Sequence, residues 1–467
     1  MGADDGSRAA RLLAQLYRQG EFKIKLGLEP MRAALAACGE PQSRFPCVLV
    51  AGTNGKGSVS ALLAAAAQSV GLRTGLYTSP HLIHVAERVR VNGRPLDEAP
   101  VLDLIEAVLH DFGEPEAGAP DTACGLIERT QPITHRLTFF ELTTLMALLA
   151  FARQRCDIAV LEVGMGGRLD ATNATSPCLS VITSLSLDHQ AYLGDTIEAI
   201  AGEKAGILRA GVPAILGSRA AQSVLTERAS AIGAPAWRIG VDFDITRRGD
   251  RWSYWGPAHT LDVTDHPWVE LAHSRDNLAI AIAAATALTA PSLPLASHTP
   301  PTLLQGMTRA RWPGRFWALP QEACARIGAR GVVLLDAAHN PGGAQALADA
   351  LQVRYPGRPW VWVAAAMADK DLEGLCAPLL SCPTLRDVFV SPLQTPRGES
   401  PARFCARAGL PPERAARSLV EALRLGAARA QALDGLLVIA GSIYLLGEVL
   451  QAASVPWTDL ITYEQRA

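Results

Sequence analysis

Lysine is the residue this chain has least use for. Of its 43 basic residues only five are lysines (Lys23, Lys25, Lys56, Lys204 and Lys370), so arginine serves wherever an ordinary cation suffices. A lysine kept inside a motif therefore carries more meaning than usual, because its ammonium is a compact point charge and its amine is a possible nucleophile. No C-x-x-C pair occurs among the nine cysteines, which are scattered and often set in apolar runs. That argues against a disulfide framework or a zinc site and suits a reduced, cytoplasmic protein. No apolar run reaches membrane-spanning length, and the charged, then amphipathic start MGADDGSRAARLLAQLY does not read as a signal peptide. Charge of one sign is not in excess either: the formal net charge is −2, which speaks against nucleic acid or a membrane surface as the main partner. Internal repeats and low-complexity tracts are lacking as well.

What is present is length and apolar content. At 467 residues, 49% of them hydrophobic, the chain is expected to form at least two domains with alanine-rich cores. The rest is organised around Cys47 to Ser58, CVLVAGTNGKGS, which reads as a strand, a glycine-rich loop with one lysine, and the start of a helix. Glycines let backbone N–H groups close around phosphate oxygens, Lys56 adds a mobile positive charge, and the helix that follows points its positive end at the same anion. The loop departs from the usual G-x-x-x-x-G-K-[ST] pattern, because Gly57 stands where a hydroxyl is normal and the first glycine is Gly52. A strand-to-helix turn without a ligand is the competing reading.

Along the chain, residues 8 to 38 read as helical, broken near Gly27 and Pro30, and residues 73 to 78 as a second strand ending at Thr78-Ser79-Pro80-His81. Residues 86 to 97 contain an Asn-Gly turn and suggest a hairpin or loop, and Asp111 to Pro120 show little pattern. The segment TFFELTTLMALLAFARQ predicts a helix capped by Thr138 with Glu141 in a capping box. CDIAVLEVG and SPCLSVITSLSLDH are continuous apolar runs, as strands covered on both faces require. The segment 237 to 268 suggests short antiparallel strands, and 276 to 289 an alanine-rich helix. Four prolines in PSLPLASHTPP mark a linker, after which strand-and-helix units resume as a second α/β domain. The expected fold is therefore α/β, a parallel-sheet ATPase domain with a P-loop over residues 1–297 and a smaller Rossmann-like domain over 298–467.

In open parallel sheets ligands sit beyond the carboxyl ends of the strands. The loop, Ser79, Glu162 and His189 each fall at such an end, so they can converge despite their separation, and together could hold a magnesium ion beside a nucleotide's phosphates. For each a plainer reading stays open: a turn for Ser79, an ion pair for Glu162, a hydrogen-bonded loop residue for His189. Lys204 sits between flanking glycines, where a solvated cation is the default. In the second domain Asp336 ends a strand and His339 stands in the turn that follows, suited to ribose or phosphate contacts or to helix capping. Arg315 lies just after the linker, placed to reach the phosphates as the domains close.

These motifs in this order, AGTNGKGSV, YTSPHL with ERVRVNG, LTFFELTT, LEVGMGGRLDATN, SLDH, GEKAGI, RWPGRF, LDAAHNP and AGSIY, resemble the folylpolyglutamate synthase and dihydrofolate synthase family of the Mur-type ligases, over nearly the whole length. The resemblance implies an ATP-dependent ligase that adds L-glutamate to dihydropteroate and to reduced folates through an acyl phosphate, both activities in one cytoplasmic, monomeric chain. A chain with one of the two activities, or a P-loop phosphotransferase, is the alternative. By position it implies that Gly52, Thr53, Asn54, Gly55, Lys56, Gly57 and Ser58 hold ATP phosphates, and that Ser79, Glu162 and His189 bind magnesium. Lys204 matches a lysine carbamylated by CO₂ that helps hold a second magnesium ion. Asn277 matches an adenine contact, Arg315 a phosphate contact, Asp336 a ribose contact and His339 a cleft residue. Lys56, Lys204, Arg315 and His339 are accordingly the expected catalytic set, and Phe140, Asp170 and Ser442 the expected substrate contacts. Tyr444 stands where some relatives carry histidine.

Overall fold

A computed structural model describes residues 3–20, 27–114, 135–257 and 259–460. Eight strands form the first sheet: β1 (Cys47–Ala51), β2 (Thr74–Tyr77), β3 (Val89–Val91), β4 (Arg94–Pro95), β5 (Ile158–Glu162), β6 (Pro177–Ile182), β7 (Ala214–Leu216) and β8 (Ala236–Arg238). Their order is β4-β3-β2-β5-β1-β6-β7-β8, parallel from β2 to β8, with β3 and β4 added antiparallel at one edge. Strand β1 shows why the run is unbroken: Cys47, Leu49 and Ala51 join one core while Val48 and Val50 join the core on the other face. Helices Glu98–Phe112 and Phe139–Arg153 cover the first face, and Lys56–Ser69 and Ala272–Ala287 the second. The helix at Phe139 starts as its sequence predicts, with Thr138 and Glu141 closing a reciprocal capping box.

The chain crosses from β1 to β2 on one side and later to β6 on the other, so the crevice opens at the end of β1. The Asn92-Gly93 turn joins β3 to β4, both residues having positive φ (51° and 76°), which is the hairpin expected there. Asp111 and Phe112 belong to the helix Glu98–Phe112, and positions 115–120 lie outside the described residues. Pro30 sits in the first turn of helix Glu29–Ala37, where a missing N–H costs nothing, so it starts this helix.

Three antiparallel strands, β9 (Asp244–Arg248), β10 (Arg251–Trp255) and β11 (Thr260–Asp262), form the small sheet expected over 237 to 268, whereas Trp237 and Arg238 at the start of that segment belong to β8, which pairs parallel with β7. The last sheet holds β12 (Trp317–Ala318), β13 (Val333–Asp336), β14 (Trp360–Ala364), β15 (Leu385–Val390) and β16 (Leu436–Ala440), in the order β12-β13-β16-β14-β15. All but the two-residue edge strand β12 run parallel, between two apolar layers. Between the large sheets, helix Pro300–Met307 lies on helix Lys56–Ser69 so closely that a Cβ on Gly306 would fall 2.0 Å from Ser69 Oγ. Among the described residues no helix is long and apolar enough to cross a membrane.

Candidate functional site

The loop after β1 is shaped by what presses on it. Gly55 has φ +84°, and a Cβ there would lie 2.2 Å from Asn277 Oδ1. Gly57 has no room for a side chain, since its Cβ would come within 2.3 Å of the Trp312 ring. The departure from the usual phosphate-loop pattern thus has a local cause: an indole occupies the space where a hydroxyl-bearing side chain would begin. Over that indole stands the Arg90 guanidinium, 5.1 Å from the ring centre. The loop is tied to the segment that leaves β6 by Thr53 N donating to Ser184 O at 2.8 Å, Thr53 Oγ1 to Ser186 O at 3.1 Å and Thr183 Oγ1 to Asn54 O at 2.7 Å.

Beside this loop lies a cavity of about 460 Å³, walled by both large sheets' strand ends and the helices that follow them. Every loop residue from Gly52 to Ser58 lines it, together with Ser79, Glu162, His189, Lys204, Asn277, Arg315, Asp336 and His339. Ser79, Glu162 and His189 follow or end β2, β5 and β6, which with β1 are four neighbouring strands, so adjacency in the sheet brings these distant positions together. The Glu162 carboxylate accepts from Ser79 N at 3.1 Å and is 4% exposed. Burial pushes its pKa up, against the charges of Lys56 and Arg315 and the Ser79 N–H.

Lys56 Nζ donates to the carbonyls of Gly52 and Thr53, both at 3.1 Å. Lys204 is also buried, and its Nζ donates to the same Gly52 carbonyl at 2.8 Å. Burial, and then the charge of Lys56, push the Lys204 amine down to about 7. The plain reading of Lys204 as a solvated cation is therefore excluded by its position. The His189 ring is lowered to about 4, first by burial and then by the charge of Lys370, so near neutral pH it carries a free lone pair.

Three expected residues stand away from the cavity wall. Asp170 accepts from Met165 N and Thr172 N, both at 3.0 Å, and from Thr172 Oγ1 at 2.6 Å, so its oxygens brace the turn that carries Gly164 to Gly166. Phe140 packs over Gly164, where a Cβ would touch its ring at 2.5 Å. Gly164 itself does line the cavity, which leaves both residues one layer behind it. Ser442 caps helix Ile443–Ala452, accepting from Tyr444 N at 3.2 Å. Asp336 has a double part: it lines the cavity while its oxygens accept from Phe316 N at 2.7 Å and Ala338 N at 2.8 Å.

Sequence reasoning passed over Asp188, Asn340 and Lys370. Asp188 follows β6 and receives Asn340 Nδ2 at 3.1 Å and the Lys370 ammonium, with His339 Nε2 3.3 Å away. Burial alone would raise its pKa; the His339 hydrogen bond and the charges of Lys370, His339 and His189 hold it far below the usual carboxylate range. The signal for Lys370 was its rarity. Lys56, Lys204 and Lys370 are the lysines among the described residues, and all three belong to this site.

A divalent cation is tested here by its donors. Among the described residues no three His, Cys, Asp or Glu side chains are grouped to hold a metal ion. One buried carboxylate, one hydroxyl and one neutral imidazole beside a phosphate loop fit instead a cation that takes the rest of its shell from phosphate oxygens and water, the habit of magnesium.

Comparison with known proteins agrees with this geometry. Residues 101–244 match the family model for the Mur ligase middle domain, and residues 324–443 that for the Mur ligase, glutamate ligase domain. The chain is 33% identical over 451 residues to the dihydrofolate synthase/folylpolyglutamate synthase of Escherichia coli K12, covering 95% of each. It superposes on E. coli FolC in complex with DHPP and ADP with a TM-score of 0.77 at 30% identity, over 95% of this chain and 97% of that one. A bifunctional folylpolyglutamate synthase/dihydrofolate synthase with Mn, AMPPNP and L-glutamate bound superposes with a TM-score of 0.75 at 30% identity, over 95% and 98%.

Proposed function

The chain belongs to the dihydrofolate synthase/folylpolyglutamate synthase family, and from that premise we propose that it is an ATP-dependent ligase joining L-glutamate to dihydropteroate and to reduced folates. The observation that carries this reading is the shared cavity, in which a phosphate loop on one sheet faces Arg315, Asp336 and His339 from the approach to and the strand ends of another. A simple phosphotransferase has no need of that second wall.

The reaction asks the protein for positioning and charge. The pteroate or folate carboxylate attacks the γ-phosphate of ATP, ADP leaves, and the glutamate amine displaces phosphate from the acyl phosphate to form the amide. Lys56, on the phosphate loop, is placed to stabilise charge on the transferred phosphoryl group, and Arg315 supplies a second cation from the opposite wall. A divalent cation held by Ser79, Glu162 and His189 would neutralise phosphate charge and orient the γ-phosphate. Loop residues Gly52 to Ser58 hold the phosphates, Asn277 and Asp336 the adenosine. Phe140 and Asp170 shape the pteroate end by supporting Gly164, and Ser442 caps helix Ile443–Ala452, which stands behind the cavity wall. Closure of the two sheets around the substrates would keep water out, so that the acyl phosphate lasts until the amine arrives.

Carbamylation of Lys204 belongs to the same proposal. CO₂ adds only to a neutral amine, and a buried lysine lowered to about 7 supplies one near neutral pH. The product is an anion placed beside Lys56 and able to hold a second cation. Intact mass spectrometry should find one CO₂ added and lost on acidification, and a Lys204→Arg variant with full activity would overturn this part. We also take residues 1–297 as the ATP-binding domain and 298–467 as the glutamate-ligase domain, in a cytoplasmic monomer.

The test is direct. Purified protein with ATP and magnesium should release ADP only when glutamate and a pteroate substrate are both present. Dihydropteroate in one tube and a reduced folate in another, read by product mass, separate the two activities. ADP release with neither substrate would sink the ligase reading.

A further inference from the structure

Asn340 is 2% exposed, and both ends of its amide are occupied. Its Oδ1 accepts from Gly343 N at 2.8 Å and from Asn54 Nδ2 at 3.1 Å. Its Nδ2 donates to Asn54 Oδ1 at 3.0 Å and to Asp188 Oδ2 at 3.1 Å. Asp188 is filled in the same way. Oδ1 accepts from His189 N at 2.9 Å and from the Lys370 ammonium, while Oδ2 takes Asn340 Nδ2 and faces His339 Nε2 at 3.3 Å. A carboxylate offers about four acceptor sites, and His189 N, the Lys370 ammonium and Asn340 Nδ2 take three of them, with the His339 ring against the same side as Asn340. Both Asp188 oxygens are thus engaged by protein partners, although the residue precedes His189 and lines the cavity.

The origin of the partners gives this network its meaning. Asn54 belongs to the phosphate loop and Asp188 to the segment leaving β6, both on the first sheet; His339 and Asn340 follow β13 and Lys370 follows β14, on the last sheet. Asn54 and Asn340 are 286 positions apart, and Asp188 and Lys370 182. The side chains of Lys370 and Asp188 are 11% and 7% exposed. A buried ion pair is a weak source of net stability, since desolvating both charges offsets most of their attraction. What such a pair does well is fix one arrangement, because any other leaves a charge buried without its partner.

We propose that Asp188, Asn340 and Lys370 are positioning residues of the ligase reaction: they hold the phosphate-loop Asn54 and the His189 backbone in place only while the two large sheets are joined. Phosphoryl transfer is thereby confined to the state in which the opposite wall is present. This rests on the ligase reading above for its kinetic readout, and on none for its structural one.

The experiment uses the full chain with Lys370→Met, Lys370→Arg, Asp188→Asn and the double variant Asp188→Asn/Lys370→Met. Lys370→Met strands the Asp188 charge, so kcat for glutamate ligation is expected to fall about tenfold or more, with recovery in Lys370→Arg. In the Asp188→Asn background Lys370→Met strands no carboxylate and removes an ammonium that has already lost its partner, so the same change should cost less than about threefold. An equal loss in both backgrounds, or a Lys370→Met enzyme with a lowered melting temperature but unchanged kcat, overturns the proposal. Amide hydrogen exchange without substrates supplies the second readout. Phosphate-loop amides from Asn54 to Gly57 should exchange faster in Lys370→Met than in wild type, and unchanged exchange also overturns the proposal. Should wild type show no ligation, the functional reading fails while the exchange result still decides this one. Should Lys370→Met not fold, Asp188→Asn carries the test through the same exchange measurement, with faster loop exchange expected and unchanged exchange fatal.

Discussion

An ammonium at Lys204 is out of place in the ligand-free protein. Its pKa is lowered to about 7 by burial, then by Lys56, whereas an unfolded chain holds the same amine near a pKa of about 10.4. Between those values the unfolded state binds the extra proton, so this group destabilises fully below about pH 7 and the cost fades as pH rises toward about 10. Lys204→Met should therefore raise the melting temperature at pH 6, by a stabilisation on the order of a few kcal/mol, and the gain should shrink by pH 9. The same variant should have no measurable ligation. A variant less stable than wild type at pH 6 would show that the bond to the Gly52 carbonyl outweighs desolvation. The same test separates a functional lysine from a structural one, because a residue kept for stability does not become more stable when removed.

The phosphate loop makes the corresponding point for an element. Its strand, helix and lysine follow from apolar run, glycine and alanine content, and so they are legible in one stretch of sequence. The reason for Gly57 is not, since Trp312 lies more than two hundred positions away and touches the loop only because helix Pro300–Met307 packs along helix Lys56–Ser69. Restoring the usual hydroxyl with Gly57→Ser places a Cβ 2.3 Å from the Trp312 ring. Either the indole or the loop must move, and kcat is expected to fall about tenfold or more, with ATP binding by calorimetry weakened in parallel. Pairing it with Trp312→Ala tests the cause: if the collision is the reason, the double variant should regain ATP affinity relative to Gly57→Ser. An active Gly57→Ser enzyme would mean that the glycine answers a need other than space. By contrast Thr138 and Glu141 were readable as a capping box because both partners lie within one turn.

At the scale of the whole molecule, what a sequence conveys follows the distance over which each feature is determined. The strands of the parallel sheets came through by way of apolar runs that end in functional residues, and the α/β plan of both large sheets with them. The two-residue strand β12 and the Asp188 network did not, for neither has a local pattern: the first exists only where it pairs with β13, the second only where ends of two sheets meet. The joint itself is then the property to measure. Nucleotide in a cavity walled on both sides should stabilise both walls, by about 2.7 kcal/mol at a hundred times its dissociation constant if it binds only the joined state. Hydrogen exchange with saturating ADP and magnesium should slow at the ends of β1 and β5 and, to a similar degree, at β13 and the start of helix Pro341–Arg354. The exposed Arg354–Glu270 pair, 3.5 Å apart across the same gap with side chains 42% and 51% exposed, should add little, so Arg354→Ala should leave that pattern intact. Slowing confined to β1 and β5 would mean that nucleotide binds the first sheet alone, and that the second sheet joins the reaction only when glutamate arrives.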